Sequence, residues 1–244
     1  METPPPPQPP TPGPDPSPQP HYAPPGGPTI RFDIIGQAFQ MVFADLGTWA
    51  LASLCVIVVV GAVSAVVYLI ALGVLMKAGL FGMLAAQGAL GFVVGSLVNL
   101  MMANMYRMVI LSLQGQKPMV SEMFKFDSNT TNILIGSFIV GFAVAIGEMF
   151  CYIPGLVIGG LTMFTLPILV DRKLDAMAAI TLSIETLKKD WLLAALFYLV
   201  ISICAGLGAI ACVIGVILTL AVLPFGVSML YRDYLGFQSA VQDR

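Results

Sequence analysis

The chain alternates between long uncharged stretches and short polar ones. Trp191 to Tyr231 is forty-one residues without an Asp, Glu, Lys or Arg, about twice the ~20 apolar residues that one membrane-spanning helix requires. Lys188 and Lys189 precede it and Arg232-Asp233 follows. The stretch therefore reads as a helical hairpin that enters and leaves a bilayer from one side, turning near Gly206 to Cys212. The same unit recurs twice upstream. One copy runs from Trp49 to about Gly73, is interrupted by Lys77 and returns over Ala78 to Tyr106. The other covers Ile133 to Val170, carries Glu148 as its single charge, turns at Pro154-Gly155 and closes on Asp171-Arg172-Lys173.

Each uncharged unit follows a more polar segment. Thr29 can cap a helix to about Leu46, where Ile35, Phe39, Val42 and Leu46 recur at helical spacing opposite Asp33, Gln37, Gln40 and Ala44. Such a helix is too polar to span and is expected in the membrane interface. Gly115-Gln116-Lys117-Pro118 reads as a turn, and Val120 to Asn132 as a second interfacial segment. Asp175 to Asp190 is the third, with Met177, Ile180, Ile184 and Leu187 on one face and Glu185 paired to Lys188 and Lys189 on the exposed one. The pattern predicts an all-α polytopic membrane protein with six transmembrane helices, arranged as three hairpins with cytoplasm-side interfacial helices. Residues 1–28 form a separate tail, 29–236 the membrane domain and 237–244 a short C-terminus.

Composition agrees: 58% of the residues are hydrophobic, 10% are charged and the mean hydropathy is +0.91. A soluble domain of this size could not cover so much apolar surface. Residues 1–28 hold fourteen of the eighteen prolines. Proline lacks an amide hydrogen and fixes φ, so this tail is expected to be extended or disordered. It is either a solvated spacer or a ligand for a proline-binding cytoplasmic partner. No leader with a basic start and an apolar core is expected, and no basic, aromatic-interleaved patch points to nucleic acid.

Basic residues give the orientation. Arg31, Arg107, Lys117, Lys125, Arg172, Lys173, Lys188, Lys189, Arg232 and Arg244 fall on the side of the termini, and Lys77 alone on the other. Positive charge accumulates on the cytoplasmic side, so both termini are expected in the cytoplasm and the protein in the inner (plasma) membrane. Trp49, Tyr106, Arg107, Trp191, Tyr231 and Arg232 are the expected interface anchors.

The three units share more than hydropathy. Asp33 and Trp49 are sixteen residues apart, as are Asp175 and Trp191. Leu161-Thr162-Met163-Phe164-Thr165-Leu166-Pro167 matches Leu218-Thr219-Leu220-Ala221-Val222-Leu223-Pro224, and Tyr106-Arg107 matches Tyr231-Arg232. These matches predict three parallel copies of an interfacial segment plus a hairpin. The inverted repeats of many transporters are not evident. With Gly115-Gln116-Lys117-Pro118, Leu166-Pro167, Ala178-Ala179-Ile180, Ser183, Trp191 and Pro224 in these places, residues 30–236 resemble a group of bacterial six-helix membrane proteins. That group includes membrane domains fused to glycerophosphodiester phosphodiesterases. The resemblance implies an integral membrane location and no shared activity. The phosphodiesterase domain has no counterpart here.

Candidate chemistry is sparse. His21, the only histidine, lies in the tail, and the predicted spans contain no Asp. Ser–His dyads, HExxH metal sites and aspartyl dyads are thereby excluded from the membrane body, and no cofactor is expected. Ser64, Ser96, Ser137 and Ser202 read as small residues at helix contacts. Glu148 is either a proton or cation group or an acid that snorkels at the outer turn. Asn99 and Asn104 either line a path or bond neighbouring helices. Met101, Met105 and Met108 share a face that could hold Cu(I) or fill gaps in apolar packing. Gly91-xxx-Gly95 and Gly155-xxx-Gly159 permit close helix approach. Cys151, Cys204 and Cys212 fall near outer turns, where a disulfide is conceivable; Cys55 is a plain intramembrane residue. The leading expectation is a non-enzymatic membrane scaffold or accessory subunit that touches lipid and a cytoplasmic protein. The alternative is a small-solute or ion transporter with a path near Glu148, Asn99 and Asn104. A solid bundle favours the first and a polar cavity at the midplane the second.

Overall fold

Hydrocarbon leaves backbone amides without partners, so a chain this apolar must satisfy them within its own helices. The computed structural model describes residues 29–125, 128–149, 152–210 and 212–238, with backbone alone at 71, 74–81, 83–90, 209, 210, 212–214 and 218. Among the described residues it is helical with no strand, and six helices are long and apolar enough to cross a membrane. It is a multi-pass, all-α architecture. The tail and the last six residues lie outside the described residues.

Helix α1 (Asp33–Ala44) is followed by α2 (Leu46–Leu113), whose helical path is unbroken where a turn near Lys77 was expected. Its two spans, Leu46–Ile70 and Gly91–Leu113, nevertheless meet the same short helix, α9 (Val222–Leu235). Trp49 packs edge-on against Phe225 with ring centroids 4.6 Å apart, while Met102 and Tyr106 share a cavity wall with Leu223 and Val227. Fifty-seven helical residues laid straight would separate Trp49 from Tyr106 by about 85 Å. The path therefore doubles back between the two spans. At its end, Gly115 (φ +80°) takes the left-handed conformation, and the Gln116 amide donates to Leu111 O at 3.0 Å. This is a Schellman cap, which explains the Gly-Gln-Lys-Pro turn.

The second hairpin pairs α3 (Thr130–Met149) with α4 (Ile153–Thr162) and α5 (Thr165–Asp171). Its turn precedes Pro154-Gly155. Pro154 sits in the first turn of α4, where its missing N–H costs nothing. Gly155 instead lets α4 lie against α3, since a Cβ there would come 2.7 Å from Glu148 Cγ. After α6 (Ala176–Leu187) the third hairpin pairs α7 (Trp191–Ile210) with α8 (Cys212–Thr219) and α9.

Both later hairpins return through a broken helix, and the break sits in the repeated motif. A helical Pro167 would leave the Met163 carbonyl without its amide partner, and Pro224 does the same to Leu220. The helices divide there, at Met163-Phe164 and at Leu220-Ala221. On the near side of each break Thr162 donates to Ile158 O (2.7 Å) and Thr219 to Gly215 O (3.0 Å). Ser183 of α6 spans the first break, accepting from the Phe164 amide (3.2 Å) and donating to Leu161 O (2.7 Å).

The repeat also sets the order of layers. Outgoing helices are buried over 17, 22 and 28% of their most apolar stretches, returning helices over 44, 61 and 65%. The returning helices thus form the inside and the outgoing ones the lipid-facing shell. Each preceding polar segment packs on the returning helix of the hairpin before it. The short 3-10 turn Val120–Phe124 lies on the second arm of α2, α6 on α5, and α1 on α9, which closes the ring.

The contact faces differ in part from the sequence expectation. The apolar side of α1 (Ile34, Ile35, Ala38, Val42) is buried in the protein, not laid on headgroups. On α6 the buried side is Ala176, Ala179, Ile180, Ser183 and Leu187, whereas Met177 and Ile184 are exposed. Small residues fit closest: a Cβ on Gly160 would meet the Ala195 backbone at 2.7 Å, where α4 crosses α7.

Candidate functional site

The inner helices do not fill their own centre. A cavity of about 280 Å³ lies between the second arm of α2, α3, the α4–α5 break, α7 and α9, so all three hairpins contribute to its wall. Asn99, Ser137, Thr162 and Leu223 are the ninth, eighth, tenth and ninth residues of spans that are 23, 20, 19 and 21 residues long. That places the cavity at mid-depth. Met163, Thr165 and Leu166, at and just after the proline break, supply part of its wall.

The wall is mostly apolar, with Met102, Val140, Val144, Leu166, Leu223 and Val227 among its residues, and no charged side chain borders it. Six of the wall residues have polar side chains: Asn99, Tyr106, Ser137, Thr162, Thr165 and Tyr198. The Asn99 amide nitrogen donates to Gly95 O at 2.9 Å, and Thr162 is engaged with Ile158 O. The Ser137 and Thr165 hydroxyls are buried without a partner. An apolar wall with a few polar residues is the composition of a small-molecule site.

The residues singled out from the sequence separate into three groups. Of the proposed path residues, only Asn99 reaches the cavity. Asn104 is buried and donates to Met123 O at 2.8 Å, fastening the 3-10 turn to α2. Glu148 is exposed at the far end of α3 and does not border the cavity. Among the described residues, Asn104 and Glu148 thus face different surroundings from Asn99.

Among the expected anchors, Trp49, Tyr106 and Tyr231 are interior residues, at 1, 3 and 0% exposure. Each packs against other side chains inside the protein. Trp191 is exposed, as is the Arg232 side chain; Arg107 is half-buried. Met101, Met105 and Met108 are fully buried in one cluster with Trp49, Val222 and Phe225, as packing residues. Gly155 and Gly159 serve two neighbours, α3 and Tyr198, while Gly91 and Gly95 have no described neighbour within 4 Å. Cys55 and Cys204 are free thiols. Cys151, and the side chain of Cys212, lie outside the described residues.

Sequence reasoning assigned Ser137 to helix contact and gave Thr165 no role beyond the repeat. Asp171, expected only as the end of the second hairpin, is buried and accepts from Tyr231. Comparison with protein-family models, with curated proteins and with solved structures gives no match. The functional reading accordingly rests on this chain's own geometry.

Proposed function

We propose that this multi-pass protein is a non-enzymatic membrane protein that takes a small neutral solute into the bundle, for binding or passage. It sits in the inner (plasma) membrane with both termini cytoplasmic. The observation that supports this reading is the mid-depth cavity, walled by all three hairpins and bordered by no charged residue. An ion entering such a wall would lose its hydration without compensation, so neutral solutes are favoured over ions. The ten-to-one distribution of basic residues supports the orientation. Membership of the six-helix group suggested by the Gly-Gln-Lys-Pro, Leu-Pro and Tyr-Arg positions belongs to the same proposal and adds no chemistry to it.

The test is ligand-induced stabilisation of the purified protein in nanodiscs. A ligand that binds only the folded state raises the midpoint of unfolding by mass action. Members of a panel of neutral molecules of roughly ten heavy atoms should stabilise the wild type and not Val140→Phe, whose ring would occupy the cavity. Equal responses of the two proteins would remove the cavity from the function and return the scaffold reading to first place.

A further inference from the structure

Around the cavity run the second arm of α2, α3, α4, α7 and α9, and four of the seams between them are tight. At α3–α4 a Cβ on Gly147 would come 2.6 Å from the Gly155 amide nitrogen, and at α4–α7 one on Gly159 would come 2.6 Å from the Tyr198 ring. At α7–α9 a Cβ on Gly226 would collide with Ile201. Between α9 and the second arm of α2, Met101, Met105, Val222 and Phe225 are buried in one cluster. The fifth seam, between that arm and α3, is different. Gly141 borders the cavity from α3, and Gly95 lies one turn from Asn99, which borders it from α2. A Cβ on either glycine would meet no described atom within 4 Å. The two helices meet here through exposed rings: Phe92 lies edge-on to Phe138 with centroids 5.7 Å apart, and Phe138 stacks on Phe142.

Gly141 joins the cavity to the outside of the bundle. Four residues advance an α-helix by about 40°. Ser137, Gly141 and Ala145 therefore step round α3 from a buried wall residue to an exposed residue beyond the wall, and glycine holds the middle position. Gly141 is itself both a wall residue and exposed. It lies eight residues before Met149, the end of its span, which is about 12 Å along the helix. The hydrocarbon core is ~30 Å thick, so this opening faces acyl chains and not headgroups or water.

We propose that the cavity opens sideways into the bilayer at Gly141 and admits an uncharged alkyl chain from it. This rests on the reading of the cavity as a solute site and adds the route and the class of solute. An engineered cavity of about 150 Å³ holds the six carbons of benzene. The cavity of about 280 Å³ has room for roughly ten carbons on that scale. Met102, Val140, Val144, Leu166 and Leu223 offer a chain apolar contact, and no charged side chain borders it. A charged headgroup would have nothing to replace its hydration inside and stays at the membrane surface.

The experiment photolyses the full chain in phosphatidylcholine nanodiscs with two probes, a phosphatidylcholine and a long-chain alcohol, each carrying a diazirine near the chain end. Adducts are located by peptide mass spectrometry. In the wild type the buried wall residues Met163 and Val227 should be labelled, together with exposed Ile203 of α7 as the lipid-facing reference. Gly141→Phe puts a ring in the opening and should lose the labels at Met163 and Val227 while keeping that at Ile203. Gly95→Phe, which obstructs the seam from α2, should act in the same way, and Gly141→Ala should keep all three labels. Interior labelling by the alcohol alone assigns the chain to a free amphiphile, and labelling by both probes admits the tail of an intact lipid; either result supports the proposal. Interior labels that survive both phenylalanine variants but not Val140→Phe overturn the lateral opening and leave the cavity as a site. Absence of interior labels in the wild type overturns the alkyl chain. Stabilisation of the wild type by the neutral panel would then keep the solute reading, and its absence would remove both.

Discussion

The Tyr231 hydroxyl donates to Asp171 Oδ2 at 2.8 Å and accepts from Arg172 Nε at 3.1 Å, joining the returning helices of the second and third hairpins. Arg172 also donates to Leu235 O (2.8 Å), and the Gln238 amide donates to the Asp171 carboxylate (3.0 Å). Tyr231 is fully buried and Asp171 nearly so. Removing one partner of a buried, charge-assisted bond leaves the other desolvated and unpaired.

Tyr231→Phe should consequently destabilise the protein by about 1.5–3 kcal/mol, the range for hydrogen bonds to charged groups. The measurement is the unfolding midpoint in nanodiscs. Ligand affinity at the cavity should change less, because Tyr231 does not border it. An unchanged midpoint would show that the Tyr231 hydroxyl adds nothing to the contacts that hold the two hairpins.

Asn104→Leu tests the other fastening. The Asn104 amide satisfies the Met123 carbonyl inside the protein, and a leucine would bury that carbonyl unpaired at a cost of about 1–3 kcal/mol. The 3-10 turn should then detach more readily than the spans unfold. Limited proteolysis between Gly115 and Lys125 should accelerate several-fold in the variant, with the spans still protected. Equal cleavage rates would mean that the turn is held by its side chains and not by this bond.

The six spans were legible because their length and lack of charge allow little else. The repeated motif was legible too, and its physical meaning is the pair of proline breaks. The inward direction of each helix was not. Lipid and protein interior are equally apolar, so hydropathy cannot tell a lipid-facing side from a core-facing one. Trp49 and Trp191 illustrate this: each lies sixteen residues after an Asp, yet one is packed on Phe225 and the other is exposed. The cavity was hidden for a related reason. Ser137 and Thr165 are weakly polar residues in apolar runs, and only the fold shows that their hydroxyls are buried without a partner.

Orientation gives a prediction in cells. Reporter fusions after Gly115, Lys173 and Arg244 should all report the cytoplasm, because in a six-span arrangement ten of the eleven basic residues fall on the side of the termini and positive charge accumulates in the cytoplasm. A periplasmic signal after Lys173 would be incompatible with six spans.

Glu148 supplies the last prediction, because it separates neutral-solute handling from ion transport. The acid is exposed at the end of α3, and its side chain lies over Gly155 at the start of α4. A carboxylate in that position can reach water, and Glu148→Gln keeps the length and polarity of the side chain. The substitution should therefore leave the unfolding midpoint within about 0.5 kcal/mol of wild type, as for surface changes in general. It should also leave the affinity for neutral probes unchanged. Proton or cation flux into proteoliposomes should be absent from both proteins. Flux in the wild type that vanished with Glu148→Gln would make this acid the coupling group, and the neutral cavity could not then be the principal route.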